Sequence, residues 1–193
     1  MATTTSSPTP SMNRPRAVAH ANVPDSLDAL ARCTIDELTA IYKTATVSTS
    51  MHAADGALKG RMLTVRSLPG PLAKAVKRWA ASNSFVWEGK TFQASSDDTG
   101  AGHNRVAIPR ALGRQNLFPF DTSFGESAID GKPTLLLDYD LDVNPSYIRH
   151  VHDEIREVVP GLFLGPAMWK SAIKTAHSDK TLVLFFALDA RFS

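Results

Sequence analysis

Apolar and polar residues alternate from Leu135 to Val143. Leu135, Leu137, Tyr139, Leu141 and Val143 fall on one side, and Leu136, Asp138, Asp140 and Asp142 on the other. Successive side chains of a strand point to opposite faces, so this pattern predicts a half-buried antiparallel strand with one mostly acidic face. The preceding Ile129-Asp130-Gly131-Lys132 is a hairpin signal, because Asp-Gly suits the tight turn between antiparallel strands. Two nearly continuous apolar stretches, LFLGPAMW from Leu162 and TLVLFFALD from Thr181, have strand length and complete a sheet. Leu58 to Arg66, Phe85 to Gln93, Arg105 to Pro109, and Asn116 to Ser127 with bends at Pro119 and Gly125, bring the strands to about seven.

Three segments carry helical signals. Thr34 and Glu37 form a capping box, and Ile35, Leu38, Ile41, Tyr42 and Ala45 follow as one apolar stripe, which predicts a helix over Cys33 to Ala45. Gly70-Pro71 opens a second, to about Ala81. Asn144-Pro145 opens a third, with Ile148, Val151, His152, Ile155 and Val159 near one stripe and Pro160-Gly161 as its stop. Asp97 to Asn104 (DDTGAGHN) reads as a Gly-rich loop, and Lys170 to Lys180 as a polar one. The fold class is mainly β with flanking helices: an antiparallel barrel or strongly curled sheet, the alternative being helices packed on one α+β sheet.

Composition narrows the possibilities. The 193 residues suit one domain, with 43% hydrophobic and 21% charged side chains. Residues 1–24 are rich in Ser, Thr, Pro and Ala and carry Arg14 and Arg16 but no acid, so they are expected to be a disordered tail before a single domain over 25–193. The same composition would suit an organelle transit peptide; otherwise a cytoplasmic location is expected, in keeping with the lone Cys33. Of 21 basic residues, Arg14 and Arg16 lie in that tail, which leaves 19 against 19 acids. Such a neutral body argues against nucleic acid as a partner. No apolar run is long enough for a membrane span.

The candidate chemistry is sparse. Asp138, Asp140 and Asp142 have D-x-D-x-D spacing, but no EF-hand Gly or Glu follows, and a solvated strand face is the expected reading. His150 and His152 would diverge on a helix, so no metal site is expected, and no motif calls for a cofactor. Gly100, Gly102, His103, Asn104 and Arg105 form a compact polar group that could place His103 as a base or Arg105 as an anion anchor at a pocket mouth. Neither Ser123 nor Ser127 sits in a nucleophile motif, and Cys33 has no identifiable partner base. A curled sheet lined by aromatic side chains can enclose a small ligand. Arg61, Trp87, His103, Arg105 and Tyr139 are the expected ligand-binding residues.

In order, GRMLTV from Gly60, WEGKTF from Trp87, GHNRV from Gly102, DGKPTLLLDYDLDVNP from Asp130 and LVLFFALD from Leu182 resemble uncharacterised bacterial lipocalin-like proteins. The lipocalin opening G-x-W is absent at Gly60, where Arg61-Met62 follow. The resemblance implies a barrel holding a small apolar molecule and carries over no catalytic residue. The expected function is therefore binding of a lipid-like or aromatic molecule. The alternative is an enzyme, such as a cyclase, isomerase or hydrolase of a small hydrophobic metabolite, drawing on His103, Arg105, Tyr139 and Asp138. A third class is an interaction module.

Overall fold

A computed structural model of the chain describes residues 23–65, 86–108, 113–170 and 179–192. The expected helix from Pro71 to Ala81 and the expected tail up to residue 22 lie outside the described residues. Eight strands form a closed barrel: β1 (Gly56–Val65), β2 (Val86–Ala94), β3 (Thr99–Ile108), β4 (Gly113–Glu126), β5 (Pro133–Asp138), β6 (Val151–Val159), β7 (Leu162–Lys170) and β8 (Lys180–Asp189). Each pairs antiparallel with the next, and β8 closes on β1 with Gly60 opposite Leu188 and Met62 opposite Phe186. Closure removes the two long free edges that an open sheet would carry. Helices α1 (Leu27–Leu30) and α2 (Ile35–Thr44) precede the barrel, followed by a 3₁₀ turn, Met51–Ala54. A single helical turn, α3 (Ser146–Arg149), sits between β5 and β6.

Helix α2 starts as its sequence dictates. Thr34 Oγ1 accepts from the Glu37 amide at 3.3 Å, and Glu37 Oε2 accepts from the Thr34 amide at 2.7 Å. Leu38 and Tyr42 are buried with Leu30 against the outer face of β7 and β8, where Leu162, Leu164, Phe185 and Ala187 point. Phe163, Phe186 and Leu188 point inward. These two strands are covered on both faces, which is why they read as continuous apolar runs.

The structure departs from the sequence reading at three places. The helix expected from Asn144 to Val159 lasts one turn, and Val151–Val159 is strand β6. Its inward residues include Asp153 and its outward ones are His152, Glu154 and Arg156, all buried. With polar groups on both faces the two-residue period is invisible. Second, the expected loop Asp97 to Asn104 is mostly strand: β3 starts at Thr99. A Cβ at Gly102 would stand 2.5 Å from Cζ of Phe120, so this glycine lets the ring lie flat on the strand. Third, the acidic strand stops at Asp138. Asp138 pairs with Lys170 at 2.9 Å, and Asp140 and Asp142 with Arg149 at 2.6 and 3.1 Å, as a solvated charged surface.

The outward polar groups of β6 fasten α2 to the wall. The Tyr42 hydroxyl donates to Glu154 Oε2 at 2.8 Å and lies 2.8 Å from Thr134 Oγ1. Glu154 Oε1 accepts from the Ala128 amide at 2.8 Å and is 2.9 Å from His152 Nε2. Arg156 spans Asp130 with two bonds of 2.9 and 2.7 Å, donates to the Tyr42 carbonyl at 3.1 Å, and stacks 4.4 Å from the Tyr42 ring. Burial pushes the Glu154 carboxyl up, but hydrogen bonds from His152, Ser127, Ala128 and Tyr42 outweigh it and hold the group below the ordinary carboxylate range.

Two outcomes are expected. Tyr42→Phe leaves buried Glu154 short of a donor and should lower stability by about 1–3 kcal/mol in urea titration. Because the folded Glu154 releases its proton more readily than the unfolded chain, its contribution is complete above the unfolded value of about 4.3 and is lost as pH falls through the lower folded value. Glu154→Gln should therefore flatten the acid limb of the stability–pH curve, read from urea midpoints.

Candidate functional site

The two ends of the barrel differ. At one end lie the short turns after β2, β4 and β6 and the 3₁₀ turn Met51–Ala54, whose Met51 amide bonds the Asp97 carbonyl in the turn after β2 at 2.9 Å. Met51 and Ala54 pack inward with Leu58, Phe92, Leu135, Ile155 and Phe163. The space left there is about 10 Å³, one water at most. At the opposite end, where β1, β3, β5 and β7 finish, the interior holds a cavity of about 270 Å³. Met62, Trp87, Phe118, Met168, Trp169 and Phe186 supply most of its apolar wall, and Tyr147 and Ile148 of α3 border it.

A layer of linked polar side chains, Lys90, Asn104, Tyr139 and Asp153, also lines the cavity. Lys90 is 2% exposed. Its Nζ donates to Asn104 Oδ1 and Asp153 Oδ2, both at 2.9 Å, and to the Tyr139 hydroxyl. Tyr139 donates to Asp153 Oδ2 at 3.0 Å and accepts from Asn104 Nδ2 at 3.2 Å. Trp87 Nε1 donates to Asn104 Oδ1 at 3.0 Å. The rings of Phe186, Phe120, Tyr139 and Trp87 stand 5.1 to 5.7 Å from the ammonium, a range in which cation–π attraction helps a desolvated charge. Burial lowers the Lys90 pKa, and the Asp153 carboxylate acts in the opposite sense. Burial and then the Asp153 charge raise the Tyr139 phenol well above its ordinary value, so it stays protonated and donates. Asp153 Oδ1, also buried, has no hydrogen-bond partner among the described residues.

Strand geometry decides which expected residues reach this site. Trp87 and Tyr139 line the cavity. Arg61, His103 and Arg105 do not: on their strands they alternate with the inward Met62, Gly102 and Asn104. Arg61 is exposed and pairs with Asp28. His103 is exposed. Arg105 donates to the Leu58 carbonyl at 3.5 Å and lies 4.0 Å from Glu88. The barrel thus brings together two of the five.

Sequence reasoning missed Lys90 and Asp153, and it placed Asn104 in the polar group around His103 without counting it among the ligand-binding residues. The signal for Lys90 was broken by a register shift between Trp87 and Gly89, which lets Trp87 and Lys90, three apart, both face inward. Asp153 was hidden by the expected helix, whose surface it would have shared with Arg149. Asn104 follows from β3 once Gly102 is seen to face Phe120.

No family model matches the chain, and no curated protein matches it in a sequence comparison. Among solved structures, a crystal structure of a protein from Thermomonospora curvata aligns at 15% identity with a TM-score of 0.44, covering 81% of this chain and 87% of that one. Among the described residues no helix is long and apolar enough to cross a membrane.

The buried pair should behave as a unit. Lys90→Met or Asp153→Leu alone leaves an unpaired buried charge and should cost roughly 3–5 kcal/mol, whereas the double variant should recover much of that loss. Urea unfolding of the three variants checks the non-additivity.

Proposed function

We propose that this protein binds a small, largely apolar molecule inside the open half of its barrel, a carrier or sensor role of the lipocalin kind. The observation that carries the reading is the 270 Å³ cavity, walled by aromatic and aliphatic side chains with one compact polar group inside it. Ligand sites have this composition: apolar surface for affinity and a few placed polar atoms for orientation. The volume is just under the range of about 300–1,000 Å³ typical of drug-sized ligands, so a single ring system or a medium-length chain fits better than a long-chain lipid. The eight-stranded up-and-down topology, shared with lipocalins, supports the reading but does not by itself fix a function.

The enzyme alternative finds less support. Of His103, Arg105, Tyr139 and Asp138, only Tyr139 lines the cavity. Asp138 lies at the barrel surface, paired with Lys170. A cytoplasmic location suits the carrier reading, since Cys33 is a free thiol.

The test is a thermal-stability screen against small apolar compounds, joined to native mass spectrometry of the purified chain. A true ligand at a hundred times its Kd should stabilise the fold by about 2.7 kcal/mol. Ala167→Phe, which fills the cavity from β7, should abolish that shift while leaving the circular dichroism spectrum unchanged. Absence of a shift with every apolar compound would falsify the proposal.

A further inference from the structure

Among the described residues one side chain other than glycine stands on a left-handed backbone. Phe118 of β4 has a φ of 53°, a conformation that suits glycine and is an outlier for a bulky residue. It sits in a bulge. Gly102 pairs with Phe120 but Asn104 with Leu117, so two steps along β3 face three along β4. Two buried side-chain amides pin the bulge. Asn104 Nδ2, from the polar layer, donates to the Phe118 carbonyl at 3.3 Å. Asn144 Nδ2, just ahead of α3, donates to the Pro119 carbonyl at 2.8 Å and to the Tyr139 carbonyl at 2.9 Å. A residue with a Cβ pays for the left-handed form with a factor of roughly five to thirty in the folding equilibrium. Glycine would avoid that factor, but it would lack the ring. Phe118 packs on the inner core and lines the cavity.

We propose that Phe118 is the specificity-determining residue of the cavity: held on a strained bulge between the polar layer and α3, it limits the width of the molecule the barrel accepts. This rests on the carrier reading and sharpens it, from an apolar molecule to a narrow one, a small ring system rather than a broad polycycle. Strained backbone persists where the surroundings over-determine it, and bulges re-aim side chains beside binding sites. Both pins belong to the site's own framework. Asn104 is bonded to Lys90 and Tyr139, and Asn144 joins the bulge to the end of β5. The wall at Phe118 therefore yields less to a broad ligand than an unpinned strand would. Without such a limit apolar area would rule, and the larger of two aromatic hydrocarbons would bind more tightly.

Naphthalene and pyrene, followed by their own fluorescence, are titrated into the wild-type protein and into Phe118→Gly. The wild type should bind naphthalene at least about ten-fold more tightly than pyrene, against the order of their apolar areas. Phe118→Gly should reverse that order. Pyrene binding as tightly as naphthalene in the wild type, or an unchanged ratio in the variant, overturns the inference and leaves the carrier reading standing. If neither probe binds either protein, the carrier reading fails and the inference falls with it. The strain has a readout of its own, without ligand. Phe118→Ala keeps a Cβ on the left-handed backbone, so its urea midpoint should lie below that of Phe118→Gly, the reverse of the usual order within a strand. The usual order would remove the strain and the proposal with it. Should Phe118→Gly fail to fold, Phe118→Leu, which trims the ring, should move the ratio toward pyrene by a smaller factor, and an unmoved ratio overturns the inference.

Discussion

A lysine ammonium in the middle of a β-barrel must be surrounded by acceptors before anything else can be arranged. Removing such a charge from water costs several kcal/mol unless a counter-charge and full hydrogen bonding offset it. Lys90 meets that demand with one carboxylate, one amide oxygen, one phenol and the faces of four aromatic rings. Satisfying it ties Asn104, Tyr139 and Asp153 to one another. Toward the plugged end the interior is filled by hydrocarbon, with Phe92, Phe120 and Tyr139 interlocked at ring separations of 5.3 Å. On the other side of the layer the described residues make no comparable polar demand, and the wall stands back around open space. The ion pair thus marks the level at which a solid core becomes a container.

The same strand that places Asp153 inside carries a second polar group outside. Glu154 and Arg156 are buried beneath α2, which engages them through Tyr42, and His152 is buried beside Glu154. Strand β6 is therefore fixed from both faces by directional bonds, where β7 and β8 are fixed by apolar contact. Directional bonds specify register in a way that hydrocarbon does not. A one-residue slip of β6 would move Asp153 to the outer wall and leave Lys90 without its counter-charge.

Most of the architecture was legible in the chain. The capping box at Thr34 and Glu37, the Asp-Gly hairpin and the two apolar C-terminal strands each rest on a local rule that tertiary context reinforces. Two errors share one cause. In Val151–Val159 and in the glycine-rich start of β3, the strand period is carried by residues whose identity reflects a neighbour: a charge for Lys90, a missing side chain beside Phe120. The site was harder to read than the fold. Trp87 and Tyr139 stood out as aromatic residues on plausible strands, whereas Arg61, His103 and Arg105 were singled out by charge, with no means of telling inside from outside. Facing direction near β2 depended on a bulge at Glu88-Gly89, which only pairing with β3 reveals.

Ring closure has a consequence for how the molecule comes into being. The seam lies between β1 and β8, with Lys59 opposite Asp189 and Val65 opposite Leu184, so the strand made first among the eight waits for the one made last. Until β8 emerges from the ribosome, β1 and β7 each expose a row of unbonded amides and carbonyls, and the growing chain is an open ribbon with two adhesive borders. Helix α2 likewise lacks the Phe185 and Ala187 part of its seat during that interval. Biosynthesis thus leaves the barrel open to wrong partners until β8 is made, and that very apolar strand completes the circle and hides both borders in one step.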